Sequence, residues 1–249
     1  MEDMAAAMKE TQRLDKILAN LGYGTRKEIK QAVRSGLVKV DGIAVSDSGM
    51  QVDPHGSRIE IAGETVNYRK YIYVMMNKPQ GVVSATYDKR LKTVADILPG
   101  SFKAFGLFPV GRLDIDTEGL LLMTNDGQLA HGLLSPRRHV SKKYYAVIDG
   151  EVTEEDVLSF KEGITIDDGY TTMPSELQIL EAGKQSKIEL TIYEGKFHQV
   201  KRMFQAAGKR VEYLKRIQMG GLRLDEHLKT GASRELTVEE ESILKDGPA

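Results

Sequence analysis

The sequence contains no cysteine and no apolar run long enough to cross a membrane. Without cysteine, the chain can form no disulfide, no thiolate nucleophile and no cysteine-ligated zinc site. No segment approaches the roughly 20 apolar residues of a transmembrane helix, and the N-terminal "MEDMAAAMKETQ" lacks the apolar core of a signal peptide. These absences predict a cytoplasmic protein without a membrane partner.

Two common catalytic motifs are also missing. The sequence has neither the G-x-S-x-G elbow of serine hydrolases nor the G-x-x-x-x-G-K-[S/T] phosphate loop of nucleotide hydrolases. The chain is nevertheless 249 residues long and 41% hydrophobic, which is enough for one large domain or for a small domain followed by a medium one.

The net charge of −1 hides a strong segregation of charge along the chain. Residues 11–40 hold seven lysines or arginines against two acids, residues 136–143 hold four bases and no acid, and residues 196–216 hold seven bases and one acid. Binding of a polyanion depends on local fields rather than on total charge. Three basic clusters on a nearly neutral chain therefore indicate a nucleic-acid partner.

The first part of the chain has the pattern of two helices followed by short strands. "RLDKILANLG" places apolar residues at helical intervals and ends at Gly22, and "TRKEIKQAVRSG" begins with Thr25 and Glu28 in capping-box spacing. Alternating apolar residues on either side of Asp41-Gly42 then predict a hairpin, and "SRIEIAG" predicts a further strand.

Four basic residues of the second predicted helix lie together: the last three share one face at helical spacing, and the first lies beside that face. They are Arg26, Lys27, Lys30 and Arg34. A single nearby acid cannot neutralise them all, so this face is predicted to contact phosphates. The whole pattern, from about Gln12 to Ala62, resembles the small RNA-binding domain named after ribosomal protein S-four.

We predict four segments along the chain: a flexible extension at 1–11, the RNA-binding domain at 12–64, a linker at 65–70 and a second domain at 71–246. In the second domain "YIYVMMNK", "KYYAVIDG" and "SKIELTIYEG" are predicted strands, and "TEEDVLSFKEG", "FHQVKRMFQAAGKRV" and "LTVEEESILKD" are predicted helices. The order shows no regular alternation of strand and helix. The predicted class is therefore α+β, with a mixed, mainly antiparallel sheet.

The stretch "GRLDIDTEGLLLMTNDG" carries acids at alternate positions and raises the question of a calcium loop. Counted from Asp114, the ninth position is Leu122 and the twelfth is Asn125, where such a loop needs a polar ligand and a bidentate glutamate. The preceding "AFGLFPVGRL" is interrupted by glycine and proline and cannot supply the entering helix. We therefore predict no metal site.

Asp114 is the candidate catalytic acid of this stretch. It lies two residues after Arg112, so the two side chains point the same way if the segment is a strand. The residues alone leave open whether Asp114 is catalytic or only forms a surface ion pair with Arg112. Asp116 and Glu118 are expected to belong to a turn that enters a buried element.

Further candidates are basic and aromatic residues in two later motifs. They are Lys143 and Tyr145 in "KKYYAV", and His198, Gln199, Lys201 and Arg202 in "EGKFHQVKRMF". Together with "GRLDIDTEGLLLMTNDG" and the N-terminal module, these motifs resemble the pseudouridine synthases of the ribosomal small-subunit synthase A family. The resemblance covers nearly the whole chain after residue 12.

The resemblance implies isomerisation of a uridine in ribosomal RNA to pseudouridine, without cofactor or metal, with Asp114 as the catalytic aspartate. The carboxylate either attacks the anomeric carbon or removes the neighbouring 2′ proton to give a glycal, and both routes remain open. Either route needs the ionised carboxylate, which burial disfavours. By resemblance, Lys201 is the cation that stabilises it.

The resemblance also implies an aromatic platform for the uracil after it leaves its stack. Tyr145, in K-x-Y spacing with Lys143, is the predicted tyrosine, because alternation along the strand turns Tyr144 to the opposite face. Arg112 is predicted to hold the flipped nucleotide or to fill the gap it leaves.

The predicted substrate is 16S ribosomal RNA in an assembling small subunit, and the predicted oligomeric state is a monomer. The alternatives are a large-subunit synthase of the same family and a non-catalytic RNA-binding assembly factor. A carboxylate–metal nuclease is a third reading, which predicts sensitivity to chelators.

Overall fold

The computed structural model describes residues 11–245, so most of the predicted extension at 1–11 lies outside the described residues. Contacts divide the chain into two units. One runs to Tyr71 and includes Pro99–Gly106, and the other consists of Ile72–Leu98 and the chain from Leu107 onward. The predicted α+β class with a mainly antiparallel sheet is confirmed.

The described elements follow one another as short strands and short helices. The helices are α1 (Leu14–Asn20), α2 (Arg26–Arg34), α3 (Gly100–Lys103), α4 (Gly127–Leu134), α5 (Glu154–Glu162), α6 (Gln199–Ala206) and α7 (Val238–Lys245). The strands are β1 (Gln12–Arg13), β2 (Val38–Val40), β3 (Ile43–Ala44), β4 (Gln51–Val52), β5 (Ile59–Ile61), β6 (Glu64–Thr65), β7 (Tyr73–Lys78), β8 (Phe108–Pro109), β9 (Glu118–Thr124), β10 (Lys142–Asp149), β11 (Glu176–Glu181), β12 (Gln185–Ile192), β13 (Arg210–Met219), β14 (Leu222–Arg223) and β15 (Ser233–Glu235).

The first unit packs α1 and α2 against a small sheet of order β3-β2-β5-β6. The Thr25 hydroxyl accepts from the Glu28 N–H while the Glu28 carboxylate accepts from the Thr25 N–H, so the predicted capping box starts α2. Asp41, at φ 53°, and Gly42, at φ 81°, form the predicted hairpin turn. Local turn and cap chemistry therefore determines these elements.

The connector predicted at 65–70 begins inside this unit. The Val66 N–H donates to the Ile59 carbonyl at 2.8 Å, and Tyr68 packs against the core of the unit and accepts a hydrogen bond from Gln12. Pro99–Gly106, which the sequence-based division puts in the second domain, also groups with the first unit. The domain limits predicted from the sequence, 12–64, 65–70 and 71–246, therefore remain a prediction.

The second unit is built on a sheet whose strands run in the order β11-β12-β10-β13-β9-β7-β15. All of these pairs are antiparallel except β13 with β9. Both faces of β7 are covered, because Tyr73–Lys78 are all buried. On one face, α4 and α7 join a core with Met75, Leu120 and Leu122.

Two local predictions in this unit are wrong. The helix predicted through Val211 ends at Ala206, and β13 begins at Arg210 after the turn at Gly208, which has φ 71°. Arg112 and Asp114 lie in irregular backbone between β8 and β9 rather than in a strand. The strand β13, in the middle of the sheet, was not predicted. About half of its residues are polar, and they do not alternate clearly with apolar residues.

Candidate active site

The candidate site is centred on the loop between β8 and β9, which carries Asp114. Gly119, at the start of β9, has φ 102°, and a Cβ there would lie 2.2 Å from the Arg216 carbonyl oxygen. Only glycine therefore permits the close parallel approach of β9 and β13. This approach places the Asp114 loop at the edge of α6, where Lys201 is located.

Two side chains from the start of α6 face the Asp114 carboxylate. Lys201 Nζ lies 3.2 Å from Asp114 Oδ2, and His198 Nε2 lies 3.6 Å from Asp114 Oδ1. The Asp114 side chain is 26% exposed, so it is sheltered but reachable. The structure thus brings together the predicted acid and the predicted cation, which are far apart in the sequence.

Asp116 shares the same lysine, although sequence analysis gave it no part in the site. Lys201 Nζ lies 2.5 Å from Asp116 Oδ1, closer than it lies to Asp114. Burial tends to raise the pKa of Asp116, but the hydrogen bond and the charge of Lys201 outweigh it and lower that pKa. Lys201 therefore balances two carboxylates.

Lys78 is a site residue that sequence analysis missed. Its side chain is fully buried at the end of β7, and Nζ donates to the carbonyl oxygens of Pro79, Asp114 and Thr117 at 2.9 to 3.0 Å. Burial lowers the pKa of Lys78 to about 8, against the raising effect of the nearby carboxylates. The only sequence signal was a lysine at the end of an otherwise apolar strand, next to the Pro79 turn.

The two faces of β10 separate Tyr144 from Tyr145. On the face of Tyr144, which is 8% exposed, Ala146 and Ile148 are buried, whereas Tyr145 and Val147 on the other face are only partly buried. Strand alternation is therefore as predicted.

The face of Tyr144 is the one that leads to the Asp114 loop. Tyr144 pairs with Arg216, Arg216 pairs with Gly119, and Gly119 pairs with Lys78, whose Nζ binds the Asp114 carbonyl. Directly paired residues point to the same face of a sheet. This row places Tyr144 on the sheet face of Lys78, whereas Tyr145 pairs through Lys215 with Glu118 on the other face.

The same face is covered by α6. Along β13, Leu214 and Arg216 are buried, whereas residues 213, 215 and 217 are partly exposed. Because α6 packs against β13, it covers the buried face, which also carries Tyr144. Tyr144 and Lys201 therefore belong to one side of the sheet.

Tyr145 lies among other groups, on the opposite face. Its ring makes an edge contact with the Tyr213 ring at 6.2 Å between centroids, and the Tyr213 hydroxyl donates to Glu118 Oε2 at 2.7 Å. Burial, reinforced by this hydrogen bond, raises the pKa of Tyr213. Within residues 11–245, no hydrogen bond, ion pair or ring contact joins Tyr145 to Asp114 or Lys201.

The remaining predicted bases of the second unit differ in their partners. Arg112 is exposed and, among the described residues, forms no ion pair or side-chain hydrogen bond, so it does not pair with Asp114. Lys143 Nζ forms an ion pair with Glu189 Oε2 at 3.1 Å. Arg202 is held by Asp167 and Asp168 at 2.5 and 2.7 Å. Only Arg112 of these three is free for a ligand.

In the first unit, the four predicted phosphate-binding residues of α2 are all exposed. They are Arg26, Lys27, Lys30 and Arg34. In the part of the chain that the structure describes, none of them forms an ion pair or a side-chain hydrogen bond. The buried face of α2 is formed by Ile29 and Val33.

The three acids of the loop do not converge as metal ligands would. Asp114 and Asp116 face Lys201, whereas Glu118 accepts from Tyr213. Across residues 11–245 there is no cluster of three or more potential metal-binding side chains, and no helix there is long and apolar enough to span a bilayer.

Comparison with known proteins identifies families for both units. Residues 72–206 match the model described as RNA pseudouridylate synthase, and residues 12–59 match the S4 domain. The chain is 50% identical to RNA pseudouridine synthase YtzG of Bacillus subtilis, over 95% of this chain and 100% of that protein.

The chain is also similar to pseudouridine synthases that are named for the large and for the small ribosomal subunit. Ribosomal large subunit pseudouridine synthase B of Bacillus subtilis is 37% identical over 94% of this chain and 96% of its own length. Ribosomal small subunit pseudouridine synthase A of Salmonella typhimurium is 37% identical over 92% and 97%. A crystal structure of a pseudouridylate synthase superposes with a TM-score of 0.66 at 36% identity, covering 94% of this chain and 99% of that one.

Proposed function

This chain belongs to the RNA pseudouridylate synthase family, and we propose that it isomerises a uridine of ribosomal RNA to pseudouridine with Asp114 as the catalytic carboxylate. The observation that carries this proposal is the position of Asp114 between Lys201 and His198, at 3.2 and 3.6 Å. A sheltered carboxylate next to a fixed cation suits either chemical route at the ribose.

In this proposal, Lys201 pairs with the Asp114 carboxylate and orients it. A partly buried carboxylate loses hydration, and a lysine ammonium at 3.2 Å compensates for that loss. Lys78 fixes the backbone of the loop by donating to the carbonyls on both sides of Asp116, at Asp114 and Thr117. The carboxylate is thereby held in place before the substrate arrives.

For the tyrosine that stacks on the flipped uracil we propose Tyr144 in place of Tyr145. The stretch "KKYY" contains two K-x-Y frames, Lys142 with Tyr144 and Lys143 with Tyr145, and the sequence alone does not choose between them. The row of paired residues from Lys78 through Gly119 and Arg216 supports Tyr144. Tyr144 is 8% exposed, so its ring would form the wall of a dry pocket.

Asp114→Asn tests the catalytic assignment. It preserves shape but removes the charge, so we expect pseudouridine formation to fall by at least on the order of 100-fold while RNA affinity stays close to that of the parent. Asp149→Asn, an exposed carboxylate at the far end of β10, is the matched control. Equal turnover by the two variants in single-turnover assays would remove Asp114 from the mechanism.

The two tyrosines are distinguished by paired substitutions. Tyr144→Phe should keep most of the RNA affinity, because the ring remains, but should slow turnover if the hydroxyl handles a proton, and Tyr144→Ala should lose both. Tyr145→Phe should turn over like the parent. A damaging Tyr145→Phe together with a neutral Tyr144→Phe would return the role to Tyr145.

The target proposed here is a uridine of 16S ribosomal RNA in an assembling small subunit, and the proposed active form is a cytoplasmic monomer. Support comes from the motifs around Asp114 and Lys201, which resemble small-subunit synthases. Overall identity does not discriminate, since the named small-subunit and large-subunit relatives are both 37% identical. Pseudouridine mapping in both ribosomal RNAs, with and without the gene, tests the choice: loss of a site in the large-subunit RNA would refute it.

A further inference from the structure

The turn that leads into α6 exposes an aromatic ring beside the candidate site. Phe197 is 72% exposed, and it directly precedes His198, whose Nε2 lies 3.6 Å from Asp114 Oδ1. Single apolar residues on a surface are common and need no explanation by themselves. Phe197 differs because its ring is held in a defined orientation next to the reacting groups.

That orientation comes from a stack with His198. The two rings lie 3.7 Å apart between centroids with an interplanar angle of 20°, so one face of the Phe197 ring is covered by the imidazole. His198 adopts φ 48°, a left-handed conformation that is uncommon for a residue other than glycine. Backbone strain of this kind is concentrated at functional sites.

The turn itself is fixed by hydrogen bonds. The Lys196 N–H donates to Gln199 Oε1 at 2.9 Å, the Gln199 N–H donates to the Lys196 carbonyl at 3.2 Å, and Gln199 Nε2 donates to Glu194 Oε1 at 2.9 Å. Gln199, which takes part in all three of these hydrogen bonds, is buried. The outer face of Phe197 is thus presented in place, without an ordering cost on binding.

We propose that the outer face of Phe197 stacks on the nucleobase adjacent to the target uridine, and this inference rests on the proposed function. Single-stranded bases are recognised by stacking on aromatic rings, and exposed Lys196 beside Phe197 adds a charge that suits the RNA backbone. The target uracil itself needs an enclosed, dry site. The Phe197 ring is 72% exposed, so it can cover one face of a nucleobase but cannot enclose it. Such a contact suits the nucleobase next to the target uridine.

Phe197→Leu and Phe197→Trp test the stack on the ribosomal RNA hairpin that carries the mapped target uridine. Leucine keeps the apolar character but removes the flat ring, and tryptophan restores it. We expect Phe197→Leu to raise the RNA concentration for half-maximal single-turnover rate by about 5-fold to 100-fold, with the maximal rate changed little. Phe197→Trp should match the parent, and Leu158→Ala, at an exposed site of α5, is the control.

The partner base is identified with abasic nucleotides placed singly on the 5′ or the 3′ side of the target. One of the two abasic RNAs should raise the RNA concentration for half-maximal rate of the parent enzyme by the same factor as Phe197→Leu does on intact RNA. The Phe197→Leu variant should bind that abasic RNA no more weakly than it binds the intact RNA. Additive losses at both positions, or an unchanged Phe197→Leu, would overturn the inference. Coupling to the target base alone would also overturn it. If the parent enzyme modifies no ribosomal uridine, the proposed function fails instead.

Discussion

The basic residues of α2 differ in their pairing from three basic residues of the second unit, Lys143, Lys201 and Arg202. In α2, the four exposed basic side chains form no ion pair or side-chain hydrogen bond among the described residues. In the second unit, Lys201 contacts two carboxylates, Arg202 contacts two others, and Lys143 pairs with Glu189. Bases without partners attract phosphates at a distance, whereas paired bases set local geometry and charge.

This difference predicts separate mutational effects. Loss of an unpaired base should weaken RNA binding and reduce its dependence on salt, with little change in the chemical step. Loss of a paired base should disturb the carboxylate that it holds, and so change turnover more than affinity. The following substitutions test that separation, from the largest expected effect to the smallest.

Lys201→Gln should have the largest effect, because it leaves Asp114 and Asp116 side by side without a shared cation. We expect the single-turnover rate to fall on the order of 100-fold at neutral pH. Lys201→Arg keeps the charge and should recover most of the rate. A loss of RNA affinity without a loss of rate would show that Lys201 behaves like the bases of α2.

Simultaneous substitution of four residues of α2 by Gln should mainly affect RNA binding. These residues are Arg26, Lys27, Lys30 and Arg34. We expect RNA affinity to fall on the order of 10-fold. The slope of log affinity against log salt concentration should decrease by roughly 1 for each basic side chain that contacts a phosphate. Arg58→Gln is the matched control, because Arg58 is already paired with Glu60 at 2.9 Å. Binding titrations at several salt concentrations measure this, and an unchanged salt dependence would contradict it.

Glu189→Gln should have the smallest effect, and in the opposite direction. It releases Lys143 from an ion pair at the surface and turns a paired base into an unpaired one. We expect RNA affinity to rise by about twofold at low salt and the free energy of unfolding to change by less than about 1 kcal/mol. The gain should vanish when Lys143→Gln is added, and a gain that persists would have another source.

Much of the local structure could be predicted from short stretches of sequence. The capping box at Thr25 was predicted from spacing alone, and both of its hydrogen bonds form. The hairpin at Asp41-Gly42 also forms. These features depend on contacts between residues a few positions apart, which local sequence encodes.

The motifs around Asp114 and Lys201 were also visible in the sequence, but their geometry was not. The resemblance predicted that the two residues pair, and they lie 3.2 Å apart. It gave no reason to expect that Asp116 competes for Lys201 at 2.5 Å, or that Lys78 holds the loop backbone. Both contacts join residues far apart in the chain.

The sequence by itself therefore determined the class of the fold, the RNA-binding module and the identity of the candidate acid. Only the tertiary structure decided which tyrosine of "KKYY" lies on the side of the sheet that α6 covers, because alternation separates two neighbours without saying which face is buried. That choice depends on the pairing of β10 with β13 and of β13 with β9. Strand register of this kind is set by contacts across the whole unit, and no short stretch of sequence contains it.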